Sequence, residues 1–155
     1  MKVPRAPPPS SRRATAVMKA NRGKNTGPEL ALRRSLRGRG IHGYRVSPRM
    51  IPGRPDVTFI GQRVAVFVHD CFWHQHGCRH APHGPRTNAS YWRLKFTLNR
   101  ARDARKVALL EKSGWNVLVI WECEIKQNAE RCASRVSREL ALPHRPIPKA
   151  IYPTS

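Results

Sequence analysis

The sequence predicts an α/β fold with a mixed β-sheet flanked by helices, and three observations carry that reading. Two β-branched and aromatic runs, Val57–Ile60 and Val64–Val68, are separated by Gly61-Gln62, a pair suited to a tight hairpin turn. A long helical stretch starting at Ser90 and ended by Gly114 leads into a nearly uniform apolar run, Trp115–Trp121. A strand, a helical crossover and another buried strand make a right-handed βαβ unit, so a parallel strand joins an antiparallel hairpin.

The remaining elements follow in chain order. Thr26-Gly-Pro-Glu29 reads as a capping box, in which a hydroxyl and a carboxylate each satisfy a free amide at a helix start. Leu30, Leu32 and Leu36 carry that short basic helix to Gly38 and Gly40, where it stops. Residues 41–47 alternate weakly. From Cys71 to Pro85 the chain is crowded with His, Cys, Gly and Pro, a composition that needs outside help to become ordered. In the long helix, capped by Ser90, the inner face is expected at Leu94, Leu98, Ala101, Val107 and Leu110. A last helix is expected over about 124–141, with Cys132 as a small packing residue.

With 155 residues and 39% hydrophobic content, the chain can bury one core and is too short for two ordinary domains. The expected division is a disordered basic arm over 1–17, one folded domain over 18–142 and a Pro-rich tail over 143–155. Thirty Lys and Arg against nine Asp and Glu give a net charge of +21, far beyond what solubility asks of a small domain. Nucleic acid is the expected partner, since each neutralised phosphate releases counterions, with a salt slope of roughly −0.9 per contact on duplex DNA. A ribosomal or histone-like binder with no chemistry satisfies the charge equally well. No apolar run approaches the roughly 18 residues of a membrane span, and no secretory signal core is present, so a soluble cytoplasmic protein is expected. The start, MKVPRAPPPSSRR, is basic like a transit peptide, but its prolines oppose the amphipathic helix such a signal requires.

Four cysteines, Cys71, Cys78, Cys123 and Cys132, cluster near histidines in a way that points to metal more than to disulfides. Cys71-x4-His76-x-Cys78 offers three ligands within eight residues, and Cys123 follows the buried strand. Two close thiolates, an imidazole and a distant thiolate suit tetrahedral zinc in a closed, structural site. His74, His80 and His83 are rival ligands, and free thiols in a polar loop are the alternative. Phe72 and Trp73 lie between ligands, where two large rings can hardly both fold inward. Either they form an exposed wedge or they cover the metal or the core, and Trp92 carries the same ambiguity.

Pro52-Gly53-Arg54-Pro55-Asp56 sets an acid at the mouth of a strand after a rigid turn, where a carboxylate can bind Mg²⁺; a plain turn acid is the alternative. Val68-His69-Asp70 ends the next strand and His74 follows, so two imidazoles approach the same sheet edge as Asp56. An imidazole can take a proton from water or give one to a leaving oxygen.

Together, MKANRGKNTGPE, PGRPDVTF, VAVFVHDCFWHQHGC and GWNVLVIWEC resemble the very short patch repair (Vsr) mismatch endonucleases, from about Met18 to Cys123. The resemblance implies a restriction-endonuclease-like fold and nicking 5′ of the thymine in a T·G mismatch left by deamination of 5-methylcytosine. It implies that Asp56 and the Val68 backbone carbonyl bind catalytic Mg²⁺ and that His74 is the general base. It further implies that His69 and Asp103 support it, and that Glu29 is the helix-start acid reaching the active site. Cys71, His76, Cys78 and Cys123 match the zinc ligands, and Phe72, Trp73 and Trp92 match the aromatics that intercalate beside the mismatch. Asp70 departs from the pattern, standing where a small glycine is expected; it either adds a metal-binding carboxylate or repels phosphate and strains the loop.

The leading expectation is therefore a Mg²⁺-dependent nickase with a structural zinc, acting as a monomer on mismatched double-stranded DNA in a bacterial cytoplasm. Mismatch-repair proteins and a functionally linked cytosine-5 DNA methyltransferase are its candidate protein partners. The competing expectations are a catalytically silent zinc-bearing DNA-binding module and a restriction-type nuclease on the same fold.

Overall fold

In a computed structural model describing residues 4–9, 12, 23–79 and 84–143, the elements run α1 (Gly27–Gly38), β1 (Val57–Phe59), β2 (Val64–His69), α2 (Ala89–Lys112), β3 (Asn116–Trp121) and α3 (Glu122–Leu140). The expected arm over 1–17, the tail over 143–155 and the rival ligands His80 and His83 lie mostly or wholly outside the described residues.

Helix α1 starts on Thr26, whose hydroxyl accepts the Glu29 N–H at 3.5 Å, with Pro28 in the first turn where a missing N–H costs nothing. The capping box is displaced by one residue, because the Glu29 carboxylate reaches past Thr26 to the Asn25 N–H at 2.8 Å. Leu32 and Leu36 are fully buried, but Leu30 is 45% exposed, being two residues and so more than half a turn away from Leu32. The inward face is completed by two charged residues, Glu29 and Arg33, which are buried along the same i, i+3, i+4, i+7 stripe.

The sheet is mixed, in the order β1-β2-β3: β1 pairs antiparallel with β2, and β2 pairs parallel with β3, His69 lying opposite Trp121. Gly61 and Gln62 are the central pair of the hairpin turn, though the reversal takes Ile60–Arg63 and places Arg63 at φ 53. The weakly alternating stretch contributes one bridge, Arg45 to Thr58.

Strand β2 is buried on both faces. Val64 and Val66 meet Leu32, Leu36, Ile125 and Val136 of α1 and α3, whereas Ala65 and Phe67 meet Leu110 and Trp115 at the end of α2. This alternation makes three layers, α1 and α3 on one face and α2 on the other.

Helix α2 begins after Asn88, in the left-handed region at φ 57, two residues before the expected Ser90 cap. Its buried residues are Phe96, Asp103 and Leu110; Leu94, Leu98 and Val107 are partly buried, and Ala101 is exposed. Those three recur every seven residues and define a narrower stripe than the expected inner face. Gly114 at φ 84 ends the helix, allowing the Trp115 N–H to reach the Leu110 carbonyl at 3.0 Å.

Helix α3 starts directly from β3, with the Glu124 carboxylate accepting the Trp121 N–H at 2.8 Å. Asn128 interrupts it at φ −162 and then caps the continuation, its side chain accepting the Arg131 N–H at 3.0 Å. Cys132 packs in the core as expected, 2% exposed. No helix among the described residues is long and apolar enough to cross a membrane.

Candidate functional site

The C-terminal end of β2 is where the chain's chemistry collects. Asp56 is delivered there by the turn Pro52–Pro55, in which Gly53 takes φ +77 and a Cβ would crowd the Lys106 stem, 3.1 Å from where it would stand. The Asp56 carboxylate accepts the Val68 N–H at 2.7 Å. Burial lifts this carboxyl from 3.8 to about 6 against that hydrogen bond, and the nearby Glu29 charge adds to the rise while Arg33 opposes it. A desolvated carboxylate beside a second acid is an environment that a hard cation would relieve.

One residue further along, the strand's alternation turns His69 to the α2 face. His69 and His74 stack with ring centroids 4.0 Å apart and planes 6° from parallel. His74 Nδ1 lies 2.8 Å from Asp103 Oδ2 on α2, though without the alignment a full hydrogen bond requires. Burial alone would raise Asp103, but the His74 contact, then Lys106 and Arg102, hold it at about 2. Burial, followed by repulsion from His74, pushes His69 from 6.5 to about 4. The ligand atoms of His69, His74 and Asp103 lie within 4.8 Å of one another. Lys106 at 3.5 Å and Arg102 at 3.6 Å from Asp103 already supply positive charge, so this trio suits proton handling better than a cation.

Cys71, His76, Cys78 and Cys123 form a second cluster, again with all ligand atoms within 4.8 Å of one another. His76 Nδ1 is 3.8 Å from Cys71 Sγ and 3.5 Å from Cys123 Sγ. Ligands about 2.3 Å from a tetrahedral ion stand about 3.8 Å apart, so the donor set fits a four-coordinate metal. Burial pushes the Cys71 thiol up to about 12 and raises Cys123, so a cation binding here must displace protons.

The rings expected as a wedge are neither fully exposed nor folded into the core. Phe72, Trp73 and Trp92 are partly buried in one another, with Phe72 to Trp73 at 5.0 Å, Trp73 to Trp92 at 5.7 Å and Phe72 to buried Phe96 at 5.5 Å. Lys95 Nζ rides 4.8 Å from the Trp73 ring and 5.1 Å from the Trp92 ring.

Over 116 residues the sequence is 44% identical to the type II nicking enzyme V.XorIIP of Xanthomonas oryzae pv. oryzae, covering 75% of this chain and 84% of that protein. A family profile described as DNA mismatch endonuclease Vsr matches residues 9–80. The chain belongs to the Vsr family. The DNA mismatch endonuclease Vsr of Escherichia coli is 37% identical over 109 residues, 70% of this chain and 69% of that one. The type II nicking enzyme V.NmeAIP of Neisseria meningitidis is 36% identical over 129 residues, 83% of this chain and 89% of that one.

For this Vsr-family chain, the geometry gives Asp70 a use that the sequence reading did not weigh: its Oδ1 accepts the N–H of Phe72 at 2.8 Å and of Trp73 at 2.9 Å. Sequence reasoning missed two further residues. Glu122 accepts the Cys71 N–H at 3.3 Å and pairs with Lys126. Trp121 stands between the two clusters, stacked on His76 at 4.0 Å and edge-on to His69 at 5.4 Å. The available signal was WEC itself: an indole and an acid directly before Cys123.

Proposed function

We propose that this chain nicks DNA on the 5′ side of the thymine in a T·G mismatch, the product of 5-methylcytosine deamination, by Mg²⁺-dependent hydrolysis. The observation that carries the reading is the His74–Asp103 contact of 2.8 Å, at the same end of β2 as the desolvated Asp56. An imidazole paired with a carboxylate, and a second carboxylate needing a cation, are the two parts that phosphodiester hydrolysis requires.

Asp56 holds Mg²⁺ together with the Val68 carbonyl. In an extended strand a residue's N–H and C=O point to the same edge, and the Val68 N–H already meets Asp56. The ion, when bound, polarises the phosphodiester. His74 takes the proton from the attacking water, while Asp103 orients its ring through Nδ1. His69, held neutral by burial, stacks on His74 and donates toward the phosphate. Glu29 lies within electrostatic reach of Asp56 and completes the acidic lining.

Cys71, His76, Cys78 and Cys123 hold a structural zinc, whose chemistry is confined to clamping the loop. Phe72, Trp73 and Trp92 insert beside the mismatch, where unstacking costs less than at a paired step. Residues 18–142 are the endonuclease domain, and the arm over 1–17 and the tail over 143–155 extend its footprint. The enzyme acts as a monomer in a bacterial cytoplasm, with mismatch-repair proteins and a cytosine-5 DNA methyltransferase as functional partners.

The test is nicking of an end-labelled duplex holding one T·G mismatch, beside its T·A control, with and without Mg²⁺. A magnesium-dependent nick 5′ of the thymine, absent from the control and reduced at least about 10³-fold in Asp56→Ala, is expected. Binding without scission leaves a silent zinc module, and cleavage of both duplexes leaves a restriction-type nuclease.

A further inference from the structure

The segment that carries the aromatic rings and His74 is a single turn of helix-like backbone, too short to hold itself. The His74 N–H reaches the Asp70 carbonyl at 3.3 Å, and the His76 N–H reaches the Cys71 carbonyl at 3.0 Å. Gln75 closes the turn in the left-handed region at φ 48, its N–H 3.2 Å from the Phe72 carbonyl. The first three amides of such a turn have no partner within it. Here carboxylates take all three: Glu122 accepts Cys71 N–H, and Asp70 accepts Phe72 N–H and Trp73 N–H.

We propose that Asp70, assisted by Glu122, is a positioning residue that sets the Phe72 and Trp73 rings and the His74 imidazole on one rigid turn. The proposal rests on the function given above and adds to it a link between wedge and base. The Cys71 and His76 side chains tie the turn to the metal-type cluster, and the Gln75 N–H and side-chain amide both reach the Phe72 carbonyl, but these contacts do not hold the amides at the start of the turn. Asp70 fixes the amides of the two wedge residues, and its backbone carbonyl accepts the amide of the base. Because the same oxygen accepts two amides, hydrogen-bond acceptance is the property of the side chain on which the proposal rests. Glycine at this position leaves two amides unpartnered.

The experiment compares zinc-loaded wild type with Asp70→Asn, Asp70→Ala and Asp70→Gly. Asparagine caps a helix start about as well as aspartate, whereas alanine cannot. Three readouts are taken: nicking of the T·G duplex, fluorescence of 2-aminopurine beside the mismatch without Mg²⁺, and hydrogen exchange of the Phe72 and Trp73 amides without DNA. Asp70→Asn is expected to stay within about threefold of wild type in all three. Asp70→Ala and Asp70→Gly are expected to exchange those amides about tenfold faster, to lose most of the 2-aminopurine signal and to nick roughly tenfold more slowly, at unchanged zinc content. If alanine loses zinc, Asp70→Ser, which retains an acceptor oxygen, is expected to keep the metal and fall between alanine and asparagine. An alanine variant that opens and nicks the mismatch like wild type overturns the proposal. So does an asparagine variant as impaired as alanine, since charge would then be the operative property. Should wild type neither open nor nick the mismatch, the functional reading fails, while amide exchange still decides whether Asp70 orders the turn.

Discussion

The two side-chain clusters flanking Trp121 are built from similar residues within a few positions of each other, yet they are opposites. Cys71, His76, Cys78 and Cys123 converge with four donors, three of them thiols, and Arg79 and Lys126 line the cavity beside them. His69, His74 and Asp103 converge with three donors and bring Arg102 and Lys106 with them. The first is a sulfur-rich donor set that fits a four-coordinate metal; the second holds a carboxylate paired directly with two cations, which suits proton handling better. What separates the two sets is donor chemistry together with the charge paired directly to the donors, since both include histidine.

The largest effect should come from opening the closed cluster. Cys123→Ala is expected to release the metal, lower the urea midpoint by an amount corresponding to roughly 3 kcal/mol or more and abolish nicking. Retention of the metal and the midpoint would remove the structural role. His74→Ala should do the reverse, cutting the nicking rate by about 10²–10⁴-fold while stability changes by less than about 1 kcal/mol. A comparable loss of stability would make the two clusters alike and dissolve the contrast.

A smaller effect concerns pH, and here two groups pull in opposite directions. His69 falls from 6.5 to about 4 on folding, so its contribution is present above about pH 6.5 and is lost as pH drops toward 4. Asp56 rises from 3.8 to about 6, so it disfavours the fold increasingly as pH climbs from about 4 to 6. Without added Mg²⁺ the two slopes offset each other, and the wild-type stability should be nearly flat across this range. Asp56→Asn should unmask a rise with pH and gain at most about 3 kcal/mol at pH 7. His69→Asn should leave a fall with rising pH. Equal slopes in all three proteins would show that neither group is desolvated as described. The smallest change is expected far from both clusters: Glu130→Ala breaks a 3.9 Å pair with Arg39 on the exposed surface and should alter stability by under about 0.5 kcal/mol.

The clusters were not equally legible in the sequence. Cysteines at 71, 78 and 123 advertise themselves, because thiols are rare and their spacing is informative, and the hairpin and parallel strand followed from β-branched runs and Gly61-Gln62. Asp103 was legible only through the family resemblance. It sits in Arg-Asp-Ala-Arg-Lys, which reads as a solvated helix face, and its 8% exposure becomes evident only once α2 is laid across the sheet. Ala101 failed for the same reason: the weakly amphipathic α2 leaves the choice of inner stripe to tertiary contacts. The capping role of Asp70 was not weighed beside the metal-binding and phosphate-repelling ones, because composition is silent on which way a carboxylate turns.

The distance along the chain between Cys71 and Cys123 has a kinetic consequence. Their sulfurs meet only because β2 and β3 lie parallel with His69 opposite Trp121, and the whole of α2 must be threaded between them first. A metal taken up at this cluster would meet His76 and Cys78 first as a local pair, and its coordination sphere would close only after the crossover has docked. Metal uptake during refolding would then be a clock for the docking of β3 on β2, timed by an atom that takes no part in the sheet itself.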